Sequence, residues 1–250
     1  MSIFLSALLF FLIPGYNPFM SHIQIIYDRR SFRTELFFGW GFSCLIDGNT
    51  LFDTGEKGDR LLANLSVLGI DLDDIDQVVL SHDHWDHWGG LQDLLARRPG
   101  LPVWVPRGIS SLLHQEILRW GGLPRTGEAG AEVGSTCRLS GTRECSYKGE
   151  VMNEQALVIR GEKGVSVITG CAHPGVEVMA RAAGELYPGD PLYTIMGGFH
   201  LHQKPEDEVV NTVNNLRVLG FTRILATHCA GLKAEALSDD VLSAGWESLF

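Results

Sequence analysis

An α+β arrangement of two sheets with helices packed outside them is the fold class this sequence predicts, on three observations. Short apolar runs rich in β-branched residues cluster early in the chain and again in its middle. Helical patterns follow each cluster and do not alternate strictly with the strands, which argues against both a pure βαβ winding and an all-β chain. The third observation is material: of 250 residues, 45% are hydrophobic and 20% charged, enough to bury one sizeable core, and no linker divides the chain.

In chain order, strands are expected at Ile23–Tyr27, Phe42–Ile46, Gln77–Leu80, Val103–Val105, Ala156–Ile159, Val165–Thr169, Leu192–Met196 and Arg223–Ala226. Helices are expected at Arg60–Leu68, Leu91–Arg97, Ser110–Trp120, Val176–Leu186 and Glu206–Leu219. Asp59 and the acid-followed Pro205 serve as starts, and Gly69 and Gly220 as stops. The stretch Gly121–Gly149, rich in Gly and Thr, is the least regular and is expected to form a loop over a site.

Residues 20–250 are expected to form one domain, preceded by an extra apolar segment, 1–19. Its core, Ile3–Ile13, falls short of the roughly 20 residues that a membrane-spanning helix needs. No Lys or Arg precedes this run and no small-x-small cleavage site follows it. Three readings stand: a translation start assigned upstream of the native Met20, an export signal or anchor, or a packed N-terminal segment. The expected location is the cytoplasm, with export the alternative if 1–19 is a genuine signal. No stable membrane association is expected.

The net charge of −10, from 20 basic and 30 acidic residues, would repel a polyanion, so nucleic acid is not an expected partner. A small-molecule substrate is. Five cysteines without CxxC spacing suit a reducing compartment better than a disulfide framework.

The placement of the histidines carries the chemistry. The four chelating positions of the pattern, His82, His84, Asp86 and His87, fall within six residues, His82-Asp83-His84-Trp85-Asp86-His87, directly after the apolar run QVVLS and before Gly89-Gly90, where a helix begins. His173, His200 and His228 each follow a later strand beside Gly, Ala or Cys. Strand ends facing loops are where sites are built, and glycine lets the backbone turn sharply there. His82 and His84, two apart on extended backbone, point the same way and can share one ion. Asp86 and His87, just past them at a turn, can take a second. Neither ion is satisfied by this segment alone, so His173, His200 and His228 are the available suppliers. Of the alternating pair His200 and His202, His200 is assigned to the site. His22 and His114 are read as surface or packing histidines. Cys171 and Cys229 could bind metal, but are read as small residues packing the strand ends. Arg29, Arg30 and Arg33 are read as a solvated face in preference to an anion site.

The HxHxDH run at His82–His87, together with the earlier Phe52-Asp53-Thr54-Gly55 turn and the later isolated histidines, resembles the metallo-β-lactamase fold superfamily over about residues 22–231. The resemblance implies a four-layer αβ/βα sandwich, two mixed β-sheets flanked by helices, with a two-metal site along one edge. TGCAHPG (Thr169–Gly175), GGFHL (Gly197–Leu201) and THCAG (Thr227–Gly231) are similar to the subgroup of 7,8-dihydropterin-6-methyl-4-(β-D-ribofuranosyl)-aminobenzene-5'-phosphate synthase, whose relatives are mostly described as metal-dependent hydrolases. One departure stands out. The superfamily usually carries a bridging aspartate on a strand ending TGD, where this chain has Thr169-Gly170-Cys171-Ala172-His173. Either His173 is the usual mid-chain ligand and the bridge is missing, or His173 replaces the bridge. Both alternatives remove a negative ligand from the second position, so one tight and one weaker ion are expected.

The implied reaction is metal-assisted hydrolysis, in which the ion lowers the pKa of a bound water towards about 7 for attack on carbon or phosphorus. His82, His84 and His173 are expected to hold the first ion, and Asp86, His87 and His228 the second. Asp86 and His200 are the expected catalytic groups, and His200 and Phe199 the expected substrate contacts. Asp53 is expected to stand behind a ligand and fix its tautomer. Zinc is the default ion, with iron and manganese compatible. The substrate is expected to be a small molecule carrying a pterin or a phosphate. The alternatives are a thiolester hydrolase resembling glyoxalase II, and a non-catalytic metal- or pterin-binding module.

Overall fold

The structure, a computed structural model, describes residues 20–250, so the apolar segment 1–19 and its three readings lie outside the described residues. The chain forms two sheets. In the first, β1 (His22–Tyr27), β2 (Ser43–Ile46) and β3 (Thr50–Phe52) run antiparallel, and β4 (Gln77–Val79), β5 (Pro102–Trp104) and β6 (Leu123–Arg125) continue parallel beyond β3. The second begins with β7 (Glu132–Val133) and β8 (Cys137–Leu139). The chain then makes a separate hairpin, β9 (Arg143–Tyr147) and β10 (Glu150–Glu154), before returning as β11 (Leu157–Gly161). β12 (Gly164–Thr169), β13 (Leu192–Gly198) and β14 (Arg223–Thr227) complete it in parallel, and β15 (Glu247–Leu249) pairs back onto β1. The strand orders are β15-β1-β2-β3-β4-β5-β6 and β14-β13-β12-β11-β8-β7.

Three helices, α1 (Gly58–Val67), α3 (Leu91–Arg97) and α4 (Ser111–Arg119), cover the first sheet, with the single turn α2 (Trp85–Trp88) between α1 and α3. The second sheet is covered by α5 (Val176–Leu186), α6 (Glu206–Leu219) and α7 (Gly231–Ala236). The expected signals Pro205, Gly69 and Gly220 sit at helix ends, Pro205 as the N-cap of α6 and Gly220 at φ 112° where it stops, while Ser110 Oγ accepts from Leu113 N–H at 3.2 Å as the cap of α4.

Strand periodicity explains the layering. Neighbouring residues of a strand face opposite ways, and in the second sheet they enter different cores. Val158, Val167, Ile195 and Ile224 pack under α5, α6 and α7. Their neighbours Leu157, Ile168, Met196 and Leu225 pack between the sheets against Ile23, Ile25, Phe52 and Val79. On the far side, Ile26, Leu51, Val78 and Val103 meet Leu61, Leu65, Leu94 and Ile117 of the first helical layer. Three apolar seams between four layers make the αβ/βα sandwich. Each fully buried aliphatic side chain contributes about 1.5–3 kcal/mol of transfer free energy.

The sheets are also tied by polar contacts at their site-facing ends. Asp28, fully buried just past β1, accepts from Thr227 Oγ1 at the end of β14 and from Arg29 N–H at 2.7 Å. Burial lifts its carboxyl to about 6, against these donors. The folded protein therefore holds the proton more tightly than the unfolded chain does, and this group's contribution to stability falls as pH rises from about 4 to 6. Asp28→Asn, which keeps an acceptor but cannot ionise, is expected to gain ~1–3 kcal/mol relative to the parent across that window, read from urea unfolding at successive pH values. A gap between the two proteins that does not move with pH would show that Asp28 is not the titrating group.

Candidate metal centre

Parallel strands put their carboxyl ends on one edge of the sandwich, and the candidate site is built there. Asp53 follows β3, His82 follows β4, Cys171 and His173 follow β12, His200 follows β13, and His228 follows β14. The turn geometry is unusual for side-chain-bearing residues: Asp53, Ala172, His200 and His228 all have φ between 51° and 58°, in the left-handed region. Gly170 is required by contact. A Cβ there would lie 2.0 Å from Ser81 Oγ and 3.1 Å from Asp53 Oδ2, so only glycine lets the end of β12 approach β3 and β4.

Two groups of side chains form. In the first, His82 Nε2 lies 3.1 Å from His84 Nδ1, and the His173 ring centroid is 4.7 Å from both of theirs. In the second, Asp86 Oδ2 lies 3.7 Å from His87 Nε2 and 3.4 Å from His228 Nε2. Cys171 Sγ stands with both, 3.2 Å from His87 Nε2 and within 4.8 Å of ligand atoms of His82 and His173 on one side and of Asp86, His87 and His228 on the other. The structure thus brings the six residues expected as ligands together, in the arrangement of the first alternative for the missing aspartate. His173 joins His82 and His84, while the sulfur of Cys171 takes the intermediate position. Cys171 and Cys229 are buried, yet they face the ligands and are not merely packing the strand ends.

Three of the imidazoles, those of His87, His82 and His173, are aimed by a partner behind them. Asp53 Oδ2 accepts from His87 Nδ1 at 2.6 Å, while Ser81 donates to the same carboxylate through N–H and Oγ, each at 2.7 Å. Ser81 Oγ also lies 2.8 Å from His82 Nδ1, leaving that ring's Nε2 to face His84. Glu154, at the end of β10 and fully buried, accepts from the main-chain N–H groups of Cys171, Ala172 and His173 at 2.6–2.9 Å and from His173 Nδ1 at 2.9 Å. Asp53 thus stands behind the ring of His87, one of the residues expected as ligands. Glu154 and Ser81 went unrecognised in the sequence, where their only signals are an acid heading an apolar strand and a serine between strand and first histidine.

Proton positions follow. Burial, then the neighbouring imidazoles, holds His82 well below the usual histidine range, and burial takes His84 to about 4, so both keep a free lone pair. Burial works against a charge on His87 as well, but the Asp53 carboxylate outweighs it and lifts the ring to about 9. Burial alone would raise Asp86 and Glu154. The His228 contact and the charge of His87 hold Asp86 below the usual carboxylate range, and the hydrogen bonds from His173 and the loop amides lower Glu154. The residues fit a bound cation by one further observation. His173 Nε2, His200 Nδ1 and both nitrogens of His228 are buried without a hydrogen bond, an arrangement costing on the order of 1–3 kcal/mol per group that metal coordination removes.

The site opens into a cavity of about 260 Å³. Its walls include His84, His200, Asp86, Trp85, and Tyr147 and Lys148 at the tip of the β9–β10 hairpin. Part of Gly121–Gly149, expected as an irregular loop over a site, thus reaches the site as an ordered hairpin. Tyr147 packs 4.6 Å from His173 and 5.3 Å from both His84 and His200. Trp40, which the sequence signalled only as an aromatic between two glycines, lies 5.1 Å from His228. His202 also lines the cavity, although only His200 was assigned. Phe199 is a correction: at 2% exposure it packs in the core under α5 and α6, because it faces opposite to its neighbour His200. The arginines are occupied elsewhere, Arg29 and Arg30 on Glu235 and Arg33 on Glu35. His22 pairs with Glu247 at 3.2 Å, and His114 is exposed on α4.

Comparison with known proteins agrees with this geometry. The sequence profile of the metallo-beta-lactamase superfamily matches residues 42–228, and the chain belongs to that superfamily. Within it, the chain is 27% identical over 239 residues to the Methanocaldococcus jannaschii protein named 7,8-dihydropterin-6-methyl-4-(beta-D-ribofuranosyl)-aminobenzene-5'-phosphate synthase, with 80% of this chain and 81% of that protein covered. The crystal structure of Tm1679, described as a metal-dependent hydrolase of the beta-lactamase superfamily, superposes with a TM-score of 0.76 at 27% identity, covering 91% of this chain and 98% of the other. YhfI from Bacillus subtilis, a metallo-beta-lactamase fold protein, shares the fold at 11% identity and TM-score 0.64, covering 92% of this chain and all of that one.

Two substitutions test the supports. Asp53→Asn removes the carboxylate behind His87 and is expected to weaken the ion at the Asp86–His87–His228 group by about 10–100-fold while the other group keeps its ion. Glu154→Ala strands three main-chain N–H groups and His173 Nδ1. It is expected to cost at least ~3 kcal/mol in urea unfolding and to deplete the His82–His84–His173 group, measured as bound metal per chain. Full metal content with parental stability in Glu154→Ala would refute its positioning role.

Proposed function

We propose that the protein is a metal-dependent hydrolase of small molecules, acting on a substrate that joins a flat heteroaromatic system such as a pterin to a phosphate. The observation that carries this reading is the convergence of two ligand groups on one aromatic-walled cavity. Bound at these groups, divalent ions supply an activated water and charge compensation for the oxyanion that develops in the reaction. Zinc is the proposed ion, because imidazole and thiol donors suit it.

The chain's own residues do the rest. His82 and His84 present neutral nitrogens beside the ring of His173 on one side of Cys171, and the Asp86 carboxylate with the rings of His87 and His228 stands on the other. Asp86, ionised and at the cavity wall, is placed to orient the attacking water and take its proton at Oδ2. His200 faces the substrate beside Tyr147. Trp40, Trp85 and Tyr147 offer faces for a planar ring, and Lys148, exposed at the hairpin tip, is the cation to meet a phosphate. The relative's printed name, which joins a dihydropterin to a phosphate, supports this substrate class. A reducing compartment suits the free thiols. Nucleic acid is not part of the proposal, in view of the net charge.

Metal content by inductively coupled plasma mass spectrometry comes first, with at least about one equivalent of zinc, iron or manganese expected per chain. Turnover on a panel of phosphoesters, lactones and thiolesters should vanish with chelator and return with zinc or manganese. His84→Ala should lose both metal and turnover, whereas His200→Ala should keep the ions of the His82–His84–His173 and Asp86–His87–His228 groups and lose turnover by ~10–100-fold. A content below about 0.2 equivalents that added metal does not restore would sink the hydrolase reading.

A further inference from the structure

The five cysteines divide into different surroundings. Cys44 and Cys137 are buried in the apolar seam between the sheets, where a thiol behaves as a small hydrophobic group. Cys171 and Cys229 lie outside that seam, on the wall of the metal-site cavity, with their sulfurs 3.4 Å apart. Cys229 Sγ accepts from the main-chain N–H of His200 at 3.3 Å. His200 Nδ1 is buried without a hydrogen bond, and the ligand atoms of Cys171, His200 and Cys229 all lie within 4.8 Å of one another.

We propose that Cys171, Cys229 and His200 form an additional ion position, selective for a soft cation of the zinc, cadmium or copper(I) class, which shares the Cys171 sulfur with the two groups described above. Three features carry it. The first is the chemistry of the set: two thiols and an imidazole are the donors that soft and borderline ions prefer, whereas magnesium, calcium and manganese prefer oxygen. The second is that the backbone is shaped to hold it. His200 sits at φ 51°, and Gly198 lets the end of β13 pack against the two cysteines: a Cβ there would lie 2.1 Å from Gly170 O, 2.7 Å from Cys229 Sγ and 3.2 Å from Cys171 Cα. The third is access, since all three residues line the 260 Å³ cavity, so a cation and its remaining ligand can enter from solvent. As the cation binds, each thiol gives its proton to solvent and the sulfur's lone pair forms the bond to the metal, with no change of oxidation state. A thiolate has lone pairs enough for Cys171 to serve more than one ion.

The test uses the full chain, kept reduced, stripped of metal and titrated with cadmium, whose bonds to sulfur give an ultraviolet charge-transfer absorption. Wild type is expected to bind one more cadmium per chain than Cys229→Ser, and the charge-transfer absorption of Cys229→Ser is expected to fall to about half. His200→Ala should keep that absorption but weaken the additional ion at least ~10-fold. Cadmium-113 NMR of the unmutated protein gives a readout independent of whether the variants fold: a resonance shifted as two-sulfur ligation requires supports the proposal. Absence of such a resonance, or a Cys229→Ser protein with unchanged absorption and stoichiometry, overturns it. These readouts involve no turnover, so they succeed or fail separately from the hydrolase reading.

Discussion

One hydroxyl on the first sheet sets how near the second sheet can come, and the candidate metal centre depends on that closeness. Ser81 Oγ donates to Asp53, lies 2.8 Å from His82 Nδ1, and leaves 2.0 Å for any Cβ that residue 170 would carry. Because residue 170 is glycine, the end of β12 can close onto the ends of β3 and β4, and Cys171 and His173 arrive beside the HxHxDH segment. A side chain at 170 would push the two halves of the ligand set apart while leaving the apolar seams of the sandwich intact. Fold and site are thus separable: the seams between layers set the architecture, and one contact at their edge sets the chemistry.

The same edge concentrates unfavourable terms. Four side-chain-bearing residues adopt left-handed backbone, which costs on the order of 1–3 kcal/mol each, and several imidazole nitrogens are buried unpaired. Buried carboxylates compensate in part. Asp53 and Glu154 each gather several donors, and Glu154 fixes both the loop 171–173 and the ring it presents. Among the atoms these hydrogen bonds leave unpartnered are the imidazole nitrogens of His173, His200 and His228, and a divalent cation satisfies that kind of atom. Ion binding at this edge is therefore coupled to the stability of the strand ends that carry it.

The parts of the site legible in the sequence were those compressed into short segments. His82, His84, Asp86 and His87 announce themselves by density, and His173, His200 and His228 by ending apolar strands. Glu154 did not, because one acid before an apolar strand looks the same whether it faces solvent or a loop of amides brought in from 17 to 19 residues away. Strands with apolar β-branched runs were legible too, down to the three-residue β4 and β5, while β3 (TLF), β6 (LPR) and β7 (EV) hold too few such residues to register. The β9–β10 hairpin read as irregular because it pairs only with itself and exposes much of its surface, so it lacks a buried face to impose alternation. Its turn signal, Lys148-Gly149 with both residues at positive φ, was present. Phe199 was misplaced for a related reason: proximity in sequence to His200 says nothing about which face a residue at a strand end takes.

A sulfur stands where the resemblance led one to look for a bridging carboxylate, and this substitution has consequences beyond ligand count. Both groups carry one negative charge when deprotonated, so the second position does not lose its anionic ligand, as the bare absence of aspartate suggested. The donors differ in reach and softness. A carboxylate bridges through two oxygens, whereas Cys171 offers one polarisable atom and draws both groups towards the same point, 3.2 Å from His87 Nε2. The imidazoles of His82, His84, His87, His173 and His228 with a central thiol suit zinc or iron better than manganese. Cys229, 3.4 Å away, extends that preference along the cavity wall. The softness of the centre is thus written into the two segments TGCAH and THCAG, and the hard-ligand chemistry is confined to Asp86.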